Sequence, residues 1–169
     1  MSNAKRVLIV SDTHRRNDNY FKVLEKEAPL DLIIHCGDVE GSAYTIREAA
    51  HAECHIVAGN NDFFDSLPED DEFMIGRYKA YLTHGHHYYI SVGTEMLKDE
   101  AKARGFDIVF FGHTHRPLIE RDENLLIINP GSISYPRQEG RKNSYVLMEV
   151  DEDGKIDAKI CYIQDDIRL

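Results

Sequence analysis

Val7-Leu8-Ile9-Val10-Ser11-Asp12-Thr13-His14 begins as an apolar run and ends on two side chains able to bind metal. The first half reads as a short strand, the second as the turn that leaves it. The same pattern recurs four times. Residues 32–35 lead to Gly37-Asp38, 55–58 to Gly59-Asn60-Asn61-Asp62, 78–83 to His84-Gly85-His86, and 108–111 to Gly112-His113-Thr114-His115. Further strand-like runs occupy 125–128, 144–150 and 156–163. Helical spacing appears around Tyr20, Phe21, Val23 and Leu24, then over 44–52 and 94–104. The last of these has Thr94 as N-cap, Lys102 and Arg104 in its final turn and Gly105 as its stop. Strand and helix alternating through the first two thirds, with strands alone afterwards, predict an α/β protein whose sheet core ends in an antiparallel portion. Residues 65–72, with Asp65, Glu69, Asp70, Asp71 and Glu72 around Pro68, read as a solvated loop.

A chain of 169 residues, 42% apolar, is expected to form one domain over residues 1–169. Its 20 basic and 30 acidic residues leave a charge of −10 that is spread along the chain. Long duplex nucleic acid and anionic membranes are therefore not expected partners. No apolar run exceeds four residues, where a membrane span needs about 20, and 7–10 is no secretory segment. Cys36, Cys54 and Cys161 form an odd set without a C-x-x-C pair, which fits a reducing compartment. The reading is a soluble, cytoplasmic protein, compatible with a homo-oligomer.

In an α/β sheet, ligands bind at the carboxyl ends of the strands, so the five polar endings can converge on one site. Glycines 37, 59 and 112 directly precede candidate ligands, and positive φ there would let the chain turn sharply. Asp12 and His14, like His113 and His115, are spaced i, i+2 and share a face if the backbone stays extended. Carboxylate and amide oxygens mixed with imidazoles, without thiolate, suit Mn²⁺, with Fe²⁺, Zn²⁺ or Ni²⁺ as alternatives, better than Ca²⁺. The candidates outnumber the ligands of one tetrahedral ion, which points to two ions sharing a carboxylate. Two divalent ions about 3.8 Å apart repel by roughly 17 kcal/mol at a dielectric near 20. Anions must lie between them, and Asp38 with a bridging hydroxide would serve.

In this order the endings resemble those of the calcineurin-like metallophosphoesterases: Asp-x-His, Gly-Asp, Gly-Asn-His-Asp/Glu, His, Gly-His-x-His. Asn129-Pro130-Gly131-Ser132, shortly after Gly112-His113-Thr114-His115-Arg116-Pro117, narrows the likeness to the small single-domain YfcE-type phosphodiesterases, over nearly the whole chain. The resemblance implies a four-layer α/β/β/α sandwich with the metals at one edge of its two sheets. It implies Asp12, His14 and His115 on the first metal, Asn60, His84 and His113 on the second, and Asp38 bridging. Two positions depart from the pattern. Asn61 stands where many members carry a His that protonates the leaving group, and Arg15 and Arg16 follow His14 where Gly is frequent.

Other candidates follow from position. Arg15 is a candidate phosphate contact, and His86, two residues from His84, could reach the second metal or a phosphate oxygen. Asp62 is a candidate acceptor orienting a liganding imidazole. His35, within an apolar run, reads as a satisfied core histidine; His87 is expected to point away, with His51 and His55 peripheral.

Two metals so placed would activate a bridging water for phosphoryl transfer. Two ions contribute +4, while Asp12, Asp38 and a hydroxide contribute −3. The remaining +1 matches a monoanionic diester, a balance that Arg15, Arg16 or Arg137 could alter. The expected function is a metal-dependent phosphodiesterase acting on a small phosphodiester. The alternatives are a phosphomonoesterase or a non-catalytic metal-binding scaffold on the same fold; scaffolds lose metal ligands, and this chain keeps all seven.

Overall fold

Along the first strand, β1 (Lys5–Val10), Val7 and Ile9 face one way and Leu8 and Val10 the other, and all four are fully buried. A strand apolar on both faces belongs inside a layered structure. The computed structural model, which describes residues 3–163, places β1 at the centre of a five-stranded sheet. Its parallel neighbours are β2 (Leu32–His35) and then β3 (Glu53–Ile56), reached through helices α1 (Asp18–Glu27) and α2 (Ala43–Ala50). On the other side run the antiparallel strands β9 (Ser144–Val150) and β10 (Ile156–Tyr162).

A second five-stranded sheet is formed from β4 (Asp70–Ile75), β5 (Tyr78–Thr83), β6 (Ile108–Phe110), β8 (Leu125–Pro130) and β7 (Pro117–Asp122), in that spatial order. Helix α3 (Glu95–Ala103) lies between β5 and β6 in sequence. Three apolar clusters define four layers. Val7, Ile9, Leu32 and Ile34 of the first sheet meet Leu82, Phe110, Leu126 and Ile128 of the second. Leu8, Val10 and Ile33 pack instead on Tyr20 and Val23 of α1 and on Ala43, Ile46 and Ala50 of α2. Tyr81, Val109 and Ile127 pack on Leu97 and Ala101 of α3. The order is α/β/β/α, as expected. Each large apolar side chain so buried contributes about 1.5–3 kcal/mol.

Four local expectations need correction. The acidic stretch is a loop only over its first half, because β4 begins at Asp70 and pairs antiparallel with β5. Strand β7 carries no sequence signal that separated it from a loop. The third strand is Glu53–Ile56, two residues earlier than 55–58. Thr94 occupies the N-cap of α3 but its side chain makes no capping bond, whereas Gly105 follows the helix at φ +76°, as a stop requires.

Candidate metal centre

The carboxyl ends of β1, β2, β3, β5 and β6 open onto one edge shared by the two sheets. Backbone bonds stitch them together: Asp12 N–H donates to Gly37 O at 3.0 Å, His14 N–H to Asp38 O at 2.9 Å, and Gly112 N–H to His84 O at 3.0 Å. Above this edge Asp12 Oδ1 lies 3.3 Å from His115 Nε2, 3.8 Å from His14 Nε2 and 3.9 Å from His84 Nε2. Asp38 Oδ2 stands between the groups, 3.7 Å from His14 Nε2 and 3.5 Å from His84 Nε2. Asn60 Oδ1 approaches His84 Nε2 at 3.0 Å and His113 Nδ1 at 3.1 Å. Two candidate metal-binding groups result, Asp12–His14–His115 and Asp12–Asp38–His84, and Asn60 and His113 lie beside His84 of the second.

Proton positions follow from the far side of each ring. His14 Nδ1 faces the Glu40 carboxylate at 2.8 Å, His84 Nδ1 faces Cys36 O at 2.7 Å, and His115 Nδ1 faces Tyr135 O at 2.5 Å. Those oxygens only accept, so each neutral ring carries its proton on Nδ1 and presents a bare Nε2 to the centre. His14 Nε2 and His115 Nε2 are nonetheless 3.3 Å apart, as are His84 Nε2 and His113 Nδ1. Asp12 Oδ1, fully buried, has no hydrogen-bond donor aligned on it. Lone pairs converging without donors are costly unless a cation lies among them. Bonds of about 2.1 Å give donor separations of about 3.0 Å in an octahedron and about 3.4 Å in a tetrahedron. The contacts from 3.0 to 3.9 Å surround these values. The donor set fits two divalent ions.

Charge already favours a cation at Asp12. Burial would raise its carboxyl pKa, but His115, His84 and the Ser11 hydroxyl, 2.6 Å away, outweigh burial and hold it well below the usual carboxylate range. His115 answers in kind: burial opposes its protonation, yet the Asp12 carboxylate raises it overall. His113 is lowered, chiefly by burial and then by His84.

The backbone confirms convergence by a route the spacing argument did not foresee. Asp12, His14, Asp38, His113 and His115 have φ of +55°, +46°, +62°, +71° and +58°. The chain leaves the extended conformation at once, so the i, i+2 reasoning fails. His113 and His115 turn to different groups. Left-handed backbone costs a non-glycine residue roughly 1–2 kcal/mol, and such strain persists where surrounding structure enforces it. Gly37 has φ +107°, but Gly59 and Gly112 are needed for space: an added Cβ would lie 2.1 Å from Asp38 Oδ1 or from Ser11 Oγ respectively.

Supporting residues differ in part from expectation. Asp62 orients no imidazole; its carboxylate accepts the N–H groups of Asp38, Glu40 and Gly59, each at 2.7 Å, and so fixes the loop carrying Asp38. Asn61 donates its side-chain amide to Asp38 Oδ2 at 3.1 Å and its backbone N–H to Oδ1 at 2.9 Å. Arg15 donates to Glu40 O and lies over the Phe64 ring, at the rim. The His86 ring centroid is 5.4 Å from His84 and 6.2 Å from His113. Burial, then His87, His84 and His113, push its pKa down to about 4. His87 points toward Glu69, 4.0 Å away. His35 is a satisfied core histidine: it accepts the Gly37 N–H at Nδ1 and faces Thr13 Oγ1 with Nε2.

Glu40 has no spacing signal and was missed. The 129–132 stretch acquires a physical role: Asn129 donates to Gly112 O and Thr114 Oγ1, and Ser132 Oγ donates to Asp12 O. It ties the Asp12 loop to the His113–His115 loop.

Residues 6–153 match the calcineurin-like phosphoesterase superfamily domain. The chain belongs to that superfamily. It is therefore a metallophosphoesterase in kind, with two candidate metal-binding groups that share Asp12. A probable metallophosphoesterase of Bacillus subtilis is 34% identical over 148 residues, 87% of this chain and 85% of the relative. A phosphodiesterase of Methanocaldococcus jannaschii is 33% identical over 141 residues, 73% of this chain and 81% of the relative. Among solved structures, a predicted phosphoesterase of Streptococcus pneumoniae superposes with a TM-score of 0.77 at 25% identity, over 96% of this chain and 100% of that one. No helix among the described residues is long and apolar enough to cross a membrane.

Proposed function

We propose that this metallophosphoesterase is a cytoplasmic phosphodiesterase of the small YfcE type, a single domain over residues 1–169, which hydrolyses a small phosphodiester with two divalent ions, Mn²⁺ first. Residues 1–2 and 164–169 of that domain lie outside the described residues. The observation that carries the reading is the convergence of three bare imidazole nitrogens, those of His14, His84 and His115, on the buried, donor-free Asp12 Oδ1, with Asp38 Oδ2 and Asn60 Oδ1 beside them. His14, His115 and Asp12 would hold one ion, Asn60, His84 and His113 the other, and Asp38 both. Such ions supply an activated water and neutralise the phosphate and its departing oxygen. Asn61 keeps the Asp38 carboxylate in place. His86 is assigned a neutral N–H contact to a phosphate oxygen, and Arg15 the rim charge nearest His14. The name of the jannaschii relative supports the diesterase choice, as does the +1 balance of ions and carboxylates.

Elemental analysis of active protein is expected to find about two equivalents of transition metal per chain, with Mn²⁺ supporting hydrolysis of bis(4-nitrophenyl) phosphate. One equivalent or none would overturn the dinuclear reading. Faster turnover of 4-nitrophenyl phosphate than of the diester would favour a monoesterase, and metal without turnover a scaffold.

A further inference from the structure

Beside His14 and His115 lies an open cleft of about 990 Å³ whose far wall is the β8–β9 connection. The floor is continuous with the metal centre, because Tyr135 O accepts from His115 Nδ1 and Arg137 N–H donates to His115 O at 3.0 Å. Arg116, Arg137 and Arg141 line this cleft. Among the described residues, none of the three guanidinium groups has a hydrogen bond or a carboxylate partner. Arg6 is engaged with Glu27 and Glu149, Arg104 with Glu72 and Glu100 and Arg47 with Cys54 O, whereas Arg16 and Arg121, outside the cleft, also have no such partner among the described residues. With 30 acidic residues against 20 basic ones, carboxylates are not scarce. The one carboxylate lining the cleft, Glu40, is held by His14.

We propose that the substrate is a phosphodiester one of whose arms ends in a phosphate, and that Arg137 and Arg141, with Arg116, bind this second phosphate. The proposal rests on the diesterase reading above. The metal centre with its carboxylates and a hydroxide leaves +1, enough for the scissile diester. Three guanidiniums against Glu40 leave +2 in the adjoining cleft, the charge that a dianionic phosphate monoester neutralises. Guanidinium also matches the phosphate oxygens geometrically, by paired N–H donors. An uncharged or monoanionic arm would leave these groups unmatched.

The test uses two substrates with the same scissile bond and leaving group: the 4-nitrophenyl ester of thymidine 5′-phosphate, with and without a 3′-phosphate. With Mn²⁺-loaded protein the phosphorylated substrate is expected to show a kcat/KM at least about 10-fold higher, mostly through KM, a factor suited to one charge-assisted contact. Combined Arg137→Ala and Arg141→Ala substitution should abolish that preference, lowering kcat/KM for the phosphorylated substrate about 10-fold more than for the unphosphorylated one. The double Arg→Lys variant should retain part of it. Equal kcat/KM for both substrates in the parent, or equal losses on both in the variant, overturns the proposal. Calorimetric titration with thymidine 3′,5′-bisphosphate and with thymidine 5′-phosphate separates the two readings. Tighter, arginine-dependent binding of the bisphosphate without turnover of either ester would keep the phosphate subsite and remove the diesterase assignment. Equal binding removes the subsite.

Discussion

At the scale of single residues, Glu40 and His35 show what sequence reading reaches and what it leaves out. The proposed ligands were legible because a carboxylate, amide or imidazole directly after an apolar run is a strong local signal. Glu40 gives no such signal: it lies two residues past Asp38 and acts across a fold contact, holding the Nδ1 proton of His14 at 2.8 Å. Removing such a partner from a ligating histidine costs about 10- to 100-fold in metal affinity or activity. Glu40→Ala should weaken binding of one Mn²⁺ equivalent by that factor and leave the other nearly unchanged, as resolved by calorimetric titration. Unaltered binding of both equivalents would show that Glu40 does not orient His14. His35 was recognised as a core residue, and its consequence for stability follows from burial, which lowers its pKa to about 4. An unfolded histidine titrates near 6.5, so below that pH the unfolded chain binds the extra proton. The contribution of neutral His35 is complete above pH 6.5 and is lost as pH falls toward 4, by roughly 3 kcal/mol in all. His35→Gln cannot titrate, so with chelator present its urea stability should fall less than the parent's between pH 7 and pH 5, by about 2 kcal/mol. Parallel losses in the two proteins would refute the assignment.

At the scale of elements, the sheet-centre strands were legible, and so was β10 at one edge of the first sheet, whereas both edge strands of the second sheet were not. β1, β6 and β8 are buried on both faces and read as continuous apolar runs. β4 is an edge strand with alternating exposure, and its acidic first half hides Phe73 and Ile75, which pack on the core. Charge on such an edge also discourages pairing with another chain. β7, the opposite edge, starts at Pro117 and joins β8 through Glu123-Asn124, with Glu123 at φ +55°. That turn lacks the Asn-Gly or Asp-Gly signature that marks tight hairpins. The element ends carry the tightest constraint. A Cβ at position 112 would meet Ser11 Oγ at 2.1 Å and Asp12 Oδ2 at 2.9 Å, so Gly112→Ala must push the end of β6 away from that of β1. Overpacking of this kind costs about 1–3 kcal/mol, and metal binding should weaken with it because Ser11 holds Asp12. Gly93→Ala, where an added Cβ meets nothing within 4 Å, is the control. Equal urea midpoints for the two variants would contradict the close approach at Gly112.

At the scale of the whole molecule, the charge of −10 and the site's cationic cleft act in opposite directions, and their placement decides which polyanions are accepted. Arg116, Arg137 and Arg141 lie on the side of His14 and His115. On the His87 side the rim is acidic, with Glu69 4.0 Å from His87 in the short 3-10 turn His86–Tyr88 that follows the candidate ligand His84, and Asp65, which accepts from Gly41 N–H, adds a carboxylate near Glu40. A small diester with its phosphate arm in the cleft avoids that rim. A long duplex must pass over both sides, and its backbone beyond the scissile phosphate meets carboxylates within a Debye length of about 8 Å at physiological salt. Fields of this kind change association rates by about 10- to 10³-fold. Duplex DNA is therefore expected to be cut with a kcat/KM at least about 10²-fold below that of 4-nitrophenyl thymidine 5′-phosphate, at 0.15 M salt and in nuclease-free protein. Paired Asp65→Lys and Glu69→Lys substitutions should raise cutting of the duplex and leave the small diester nearly unchanged, and the gain should shrink as salt rises. If the parent cuts duplex as efficiently as the small diester, or if the reversed rim makes no difference, exclusion by charge is wrong. The limit on substrate size must then come from the shape of the edge where the two sheets meet.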